Sequence, residues 1–476
     1  MRRMSRKVTR REFVSTALTG AAVTGLAGAA IADAGLNSSS LSQPLTSRGS
    51  TAPPNILFIL ADDLGYGDLS CYGRPDYQTP HLDRLATQGV RFVNAYSASP
   101  VCTPTRCAFI TGRYPARTRV GLEEPLTEQG ELGERVKTLG LPPEHPTIAS
   151  LLKQSGYQTA LFGKWHLGYL PNFGPVQSGF DEFFGIMSGA ADFFTHKDMR
   201  GDADLYEGKV PVERIGYTTE MLTQRAVEFI SRHRSGTASP FYLSLHYTAP
   251  HWPWEGPRDQ DVSRALKGGY DGFTAGGSLK TYAAMMKSLD DGIGEVLRTL
   301  DRSGMSRNTL VIFTSDNGGE RFSYNWPFRG AKFSLWEGGI RVPAIVRWPG
   351  VVPVGVITKQ AAITMDWTST MLAAGRTKPD AAYPLDGNDL LPVIRRTQPN
   401  YERTLFWRTS EQDAVRKGHW KYLRDGKDEY LFDLSVDEHE QANYREQNTT
   451  RFEQLRDEFK KWDSTVLPRP PARQRS

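Results

Sequence analysis

The chain has 476 residues, 39% hydrophobic and 11% aromatic, enough to bury a large core and too many for one small module. Its formal net charge of +5 comes mostly from residues 1–34, which hold six of the 58 basic and two of the 53 acidic side chains, so the remainder is close to neutral. That balance excludes a nucleic-acid binder, and no apolar run beyond the leader is long and clean enough for a stable membrane span.

In chain order, residues 1–34 read as an export signal: a basic start, an Ala/Gly/Thr/Leu/Val stretch, then small residues at Ala30, Ala32 and Ala34. Arg10 and Arg11 in "TRREFV" resemble the twin-arginine motif of bacterial Tat signals, with a Sec signal as the plainer alternative. Tat export implies folding before transport, transient contact with the Tat translocon, and a periplasmic or extracellular destination. Residues 35–53, rich in Ser, Thr, Pro and Gly, predict a disordered linker.

From residue 54 to 379, continuous apolar runs alternate with amphipathic ones. "NILFILADD", "QTALFGKWH", "FYLSLHYTAPH" and "TLVIFTSDNGG" predict strands buried on both faces, while "TIASLLKQSG", "TTEMLTQRAVEFISRH" and "TYAAMMKSLDDGIGEVLRTLDRSG" predict helices. The pattern is that of an α/β domain with a large, mostly parallel sheet between helices. Residues 380–465 change character and predict a smaller α+β domain with short antiparallel strands and a final helix. The Pro/Arg-rich residues 466–476 predict a disordered tail.

Each of the four strands ends in chemically capable residues: Asp62 and Asp63, Lys164 and His166, His246 and His251, Asp316 and Asn317. In open parallel sheets the ligand crevice lies off the carboxyl ends of the strands, so these groups are expected to converge. Two adjacent carboxylates repel unless a cation sits beside them. Asp62, Asp63, Asp316 and Asn317 make an all-oxygen set that suits Ca²⁺ or Mg²⁺ better than Zn²⁺, although each motif alone is also an ordinary turn.

Cys71, Cys102 and Cys107 are an odd number of thiols for an exported chain, so at least one is expected to have a task other than a disulfide. Cys71 and Cys107 either pair or stay free. The stretch around Cys102, rich in Pro and Arg, reads as surface. A thiol beside Arg106 predicts a lowered pKa. Yet no Cys/His signature of a thiol protease surrounds it, and a thiolate is a poor neighbour for a hard cation.

"CTPTRCAFITGRYP" resembles the signature of the type I sulfatases, C-x-P-x-R followed by T-G-R, within the alkaline phosphatase superfamily. "LADDLGYGDLSCYG", "GKWHLG", "HYTAPHWP", "SDNGG", "RGAKFSLWEGGIRVP" and "YLFDLSVDEHEQANY" extend the resemblance in family order over nearly the whole mature chain. The resemblance implies an alkaline phosphatase-like fold and an enzyme that hydrolyses aryl sulfates or sulfated sugars. It implies that a formylglycine-generating enzyme converts Cys102 to formylglycine, whose hydrate attacks sulfur with one hydroxyl and expels sulfate with the other. Asp62, Asp63, residue 102, Asp316 and Asn317 would hold Ca²⁺, with Mg²⁺ as the alternative.

In the same reading Arg106, Lys164 and Lys332 neutralise the sulfate, and Asp63 or Asp316 holds the attacking hydroxyl. His251 with Lys332 protonates the leaving alcohol, and His166 takes a proton from the diol. Ser188, His246 and Trp252 are the candidates for touching substrate, with Trp254 as a further ring. Residues 122–145 and 194–216 are the loops expected to set substrate choice. The alternatives are a phosphonate monoester or phosphodiester hydrolase, which shares the signature, and an inactive binding protein on the same fold.

Overall fold

The structure, a computed structural model, describes residues 52–127, 137–233 and 239–470. The leader, most of the linker and the last six residues lie outside these. Residues 48–476 form one compact unit.

In chain order the strands are β1 (Asn55–Ala61), β2 (Val90–Phe92), β3 (Ala95–Tyr96), β4 (Gln158–Gly163), β5 (Glu182–Ile186), β6 (Leu205–Glu207), β7 (Val210–Pro211) and β8 (Phe241–His246). They continue with β9 (Thr309–Ser315), β10 (Ala344–Arg347), β11 (Val356–Thr358), β12 (Ala362–Ile363), β13 (Thr404–Arg408), β14 (Gln412–Lys417), β15 (Trp420–Asp425) and β16 (Asp428–Asp433). Ten of them form one mixed sheet in the order β11-β2-β10-β9-β1-β8-β4-β5-β6-β7. The centre, β9-β1-β8-β4-β5, is parallel, and β10 joins it antiparallel to β9.

β1 shows why the sheet is buried on both faces. Leu57 and Ile59 point into one apolar layer, with the helices Thr218–Arg232 and Leu279–Arg302. Ile56, Phe58 and Leu60 point into the other, with the helices Cys102–Thr111, Ile148–Gln154 and Thr364–Ala374. This period of two through an unbroken apolar run is what a central parallel strand requires.

Near the other end of the chain, β13-β14-β15-β16 form an antiparallel meander, followed by the helix Thr449–Asp463. A buried ion cluster ties this sheet to the short helix Glu337–Ile340 ahead of β10: Lys421 of β15 reaches Glu337 at 2.9 Å and Glu440 at 2.7 Å. The three cysteines are free thiols, with Cys107 Sγ 2.9 Å from Thr118 Oγ1.

Candidate active site

The order β9-β1-β8-β4 sets four strand ends side by side. β1 runs into Asp62 and Asp63, β9 into Asp316 and Asn317, β4 into Lys164 and His166, and β8 into the loop carrying His251. None of these seven is more than 4% exposed.

Cys102 opens the helix Cys102–Thr111, and Arg106, one turn later, shares its face. The surface position expected for this stretch is not what the fold gives: every residue of the helix is buried. Arg106 is matched by carboxylates, and Pro104 falls in the first turn, where an absent N–H loses no helical bond. Gly112, at φ 68°, closes the helix.

Three carboxylates meet three cations. Lys164 Nζ lies 3.0 and 2.7 Å from the Asp62 oxygens, and Arg106 Nε and Nη2 lie 3.0 and 2.8 Å from Asp316 Oδ2. Arg106 also reaches Asp62 at 3.2 Å, and Lys332 Nζ reaches Asp63 Oδ2 at 2.7 Å. Matching matters here because an uncompensated buried charge costs roughly 3–5 kcal/mol.

One polar atom is left over. Asn317 Nδ2 donates to Asp63 Oδ1 at 2.7 Å and to Gly318 O at 2.9 Å, but its buried Oδ1 has no partner. Asp316 Oδ1 accepts the Asp63 N–H at 3.1 Å. Ligand atoms of Asp62, Asp63 and His251 fall within 4.8 Å of one another. An orphaned amide oxygen among three carboxylates is a donor set that fits a hard divalent cation.

The two histidines have assignable tautomers. His166 Nε2 donates to Leu126 O at 2.7 Å, so the Nδ1 lone pair faces Cys102 Sγ, 3.2 Å away. Burial, reinforced by Lys164, holds the His166 pKa well below the ordinary imidazole value. His251 Nδ1 donates to Trp252 O at 2.6 Å, which leaves Nε2 to accept from Lys332 Nζ at 3.3 Å. Burial holds His251 neutral too, with Asp63 opposing and Lys332 and Lys164 assisting. Burial lowers the Lys332 ammonium, but Asp63 and Glu320 outweigh it and raise the pKa well above the usual lysine value. The lowered thiol pKa expected at Cys102 is corrected by the structure: burial pushes it up, against the pull of Lys164 and Lys332.

Cys102, His166, His251 and Lys332 line a cavity of about 280 Å³, together with Ser188 and Trp252. Arg106, Lys164, Asp62, Asp63, Asp316 and Asn317 do not line it. The Ser188 hydroxyl donates to Ala190 O at 2.9 Å. Both loops expected to shape the substrate side contribute, through Glu124–Thr127 and Asp198–Arg200. A larger open groove of about 1180 Å³, between the helices Thr218–Arg232 and Leu279–Arg302, contains none of the catalytic candidates.

Two expected contacts are placed elsewhere. His246 bonds Ser244 Oγ at 2.8 Å and Lys164 O at 3.2 Å, its ring edge-on to Phe58 and Phe109, so it braces the β4 end from within the core. Trp254 packs on Phe322, away from the cavity. Sequence reasoning missed Tyr270, which lines the cavity from a segment with no catalytic motif, and Phe333, which follows Lys332 within the "RGAKFSLWEGGIRVP" motif. It also missed Gly189, where a Cβ would stand 2.6 Å from His166 Cε1.

Comparison with known proteins agrees with this geometry. The family model described as Sulfatase matches residues 54–376. N-acetylgalactosamine-6-sulfatase of Mus musculus is 34% identical over 400 residues, covering 79% of this chain and 73% of the relative. Arylsulfatase J of Mus musculus is 33% identical over 413 residues, covering 80% and 66% respectively. Among solved structures, Ps i-CgsB in complex with k-i-k-neocarrahexaose superposes with a TM-score of 0.77 at 30% identity, covering 88% of this chain and 94% of the other. The chain belongs to the sulfatase family and is a sulfuric ester hydrolase.

Proposed function

We propose that the protein is an exported sulfatase that removes sulfate from sulfated carbohydrates or aryl alcohols, using a formylglycine made from Cys102 and a divalent cation. The observation that carries this reading is the placement of Cys102 in the cavity wall, facing the unprotonated Nδ1 of His166, beside the orphaned Asn317 carbonyl set. The similarity to an N-acetylgalactosamine-6-sulfatase and to a structure solved in complex with k-i-k-neocarrahexaose favours a carbohydrate ester.

Asp62, Asp63, Asp316 and the Asn317 carbonyl would hold Ca²⁺, or Mg²⁺ in its place. When present, the hydrated aldehyde supplies an oxygen nucleophile plus a second hydroxyl that releases sulfate, and the cation supplies charge against the sulfate oxygens. Everything else falls to side chains already in position. Arg106 and Lys164 fix the carboxylates from behind, so their charge acts through Asp62 and Asp316. His166 Nδ1, kept neutral, accepts a proton from residue 102. Lys332 is the protonated group at the leaving-group side. Because His251 already donates through Nδ1, a proton passed to the leaving oxygen begins on Lys332, directly or by way of His251 Nε2.

The test is sulfate release from a panel of sulfated sugars and aryl sulfates by protein made with a formylglycine-generating enzyme. Release by the wild type and none by Cys102→Ala, with the fold intact, is expected. Full activity in Cys102→Ala removes the mechanism.

A further inference from the structure

The substrate side of the cavity is built from rings. Trp252 is 7% exposed and forms its inner wall, while Tyr270 and Phe333 are each 49% exposed and line it toward solvent. Tyr270 stands edge-on to Trp252, with centroids 5.6 Å apart. The Lys332 ammonium lies 5.8 Å from the Trp252 ring and 5.2 Å from the Phe333 ring, so the proton source sits between two aromatic faces.

Half-exposed aromatics are unremarkable singly, but Phe333 carries a second sign. Its φ is 71°, a left-handed conformation that a bulky side chain adopts only when its surroundings impose it. The Phe333 N–H donates to Pro100 O at 2.9 Å, which holds the residue there. Glycine would satisfy that backbone without strain, yet the position carries a ring that reaches into the catalytic cavity, next in sequence to Lys332.

Resting on the sulfatase reading, we infer that Phe333 and Tyr270 are specificity-determining residues that grip the ring of the leaving alcohol. The preferred substrates are then sulfates of cyclic alcohols that offer an apolar face, either a pyranose or an aryl ring. Contact with Phe333 sets the ring at a fixed height against the Lys332 ammonium. Inorganic sulfate, which has no ring, occupies only the part of the cavity around residue 102, His166 and Lys332.

The experiment compares wild type, Phe333→Gly, Phe333→Ala and Tyr270→Ala on an aryl sulfate and a sulfated pyranose, with inorganic sulfate as a competitive inhibitor. In Phe333→Ala and Tyr270→Ala, kcat/KM should fall by about tenfold or more on ring sulfates, with the inhibition constant for sulfate within about twofold of wild type. Phe333→Gly should show the same kinetic loss with an unfolding midpoint no lower than wild type, since it relieves backbone strain. A loss on only one class of ring would assign the grip to that class. Ring-sulfate kinetics unchanged in both alanine variants, or a sulfate inhibition constant that weakens in step with kcat/KM, would overturn the inference. Failure of the sulfatase reading is separately visible, as a wild type that releases sulfate from no substrate.

Discussion

At the scale of single residues, the site divides into groups that face the cavity and groups that hold them. Lys332 faces it and stays protonated, because Asp63 and Glu320 raise its pKa, and the proposed reaction uses it to protonate the leaving oxygen. Lys332→Met should therefore reduce kcat/KM on a sugar sulfate at least about a hundredfold, and less on a nitrophenyl sulfate, whose leaving oxygen needs little protonation. Equal loss on the two substrates would restrict Lys332 to binding sulfate. Asn317 is proposed as a holder, its buried and orphaned Oδ1 serving as a ligand of the cation. Asn317→Leu should fold, and the cation concentration needed to restore activity after chelation should rise about tenfold or more, read by titrating Ca²⁺ and Mg²⁺ into the stripped enzyme. These assignments were partly legible in the sequence. Asp62, Asp63, Asp316 and Asn317 stand out because a strand end followed by hard oxygen donors is a local signal. His246 misled for the same reason: it also ends a strand, but its ring turns back between Phe58 and Phe109, which only packing reveals.

At the scale of elements, the longest periodic segments were readable and the short ones were not. The four central strands and the helices Thr218–Arg232 and Leu279–Arg302 follow from unbroken apolar runs or a single apolar stripe. β2, β10 and β11 have three or four residues each and borrow their stability from neighbours, so their own residues carry little pattern. The helix Cys102–Thr111 is buried all round and so lacks the stripe that would announce it. The glycines of "DNGG" and "WEGG" permit close approach between the two segments: a Cβ on Gly318 would lie 1.9 Å from Gly338 O. Two measurements probe the joints between elements. Lys421 lies between Glu337 and Glu440, so Lys421→Met should lower unfolding free energy by roughly 3–5 kcal/mol in denaturant titration. Glu255 joins the His251 loop to Phe193 through the Phe193 N–H, and burial followed by Asp192 raises its pKa to about 8. Since that lies above the value for an unfolded glutamate, the folded state holds an extra proton, and its contribution is complete in acid and lost as pH rises through about 8. The stability of the wild type should fall between pH 5 and 8 more steeply than that of Glu255→Gln, by up to about 1.4 kcal/mol per pH unit. Parallel slopes would show that Glu255 does not hold the proton.

At the scale of the whole molecule, the proposed export signal bears on the buried thiol in the catalytic cavity. Among the described residues no helix is long and apolar enough to cross a membrane. We propose that export rests on residues 1–34, and the double variant R10K with R11K should then leave the folded, active enzyme in the cytoplasm when fractions are assayed for sulfate release. Export of that variant at the wild-type level would favour a Sec route. A Tat route also gives Cys102 time to be modified before the chain leaves the cell. The thiol as it stands is a buried group whose pKa burial raises, which disfavours the thiolate that a cysteine nucleophile needs. The central claim is consequently a claim about the covalent state of one residue. The measurement that tests it most directly is the mass of the proteolytic peptide carrying Cys102, from active protein purified out of its native host. The account predicts that the side chain has lost its sulfur and two hydrogens and gained one oxygen, as an aldehyde requires. An intact thiol in protein that turns over sulfate esters would contradict it.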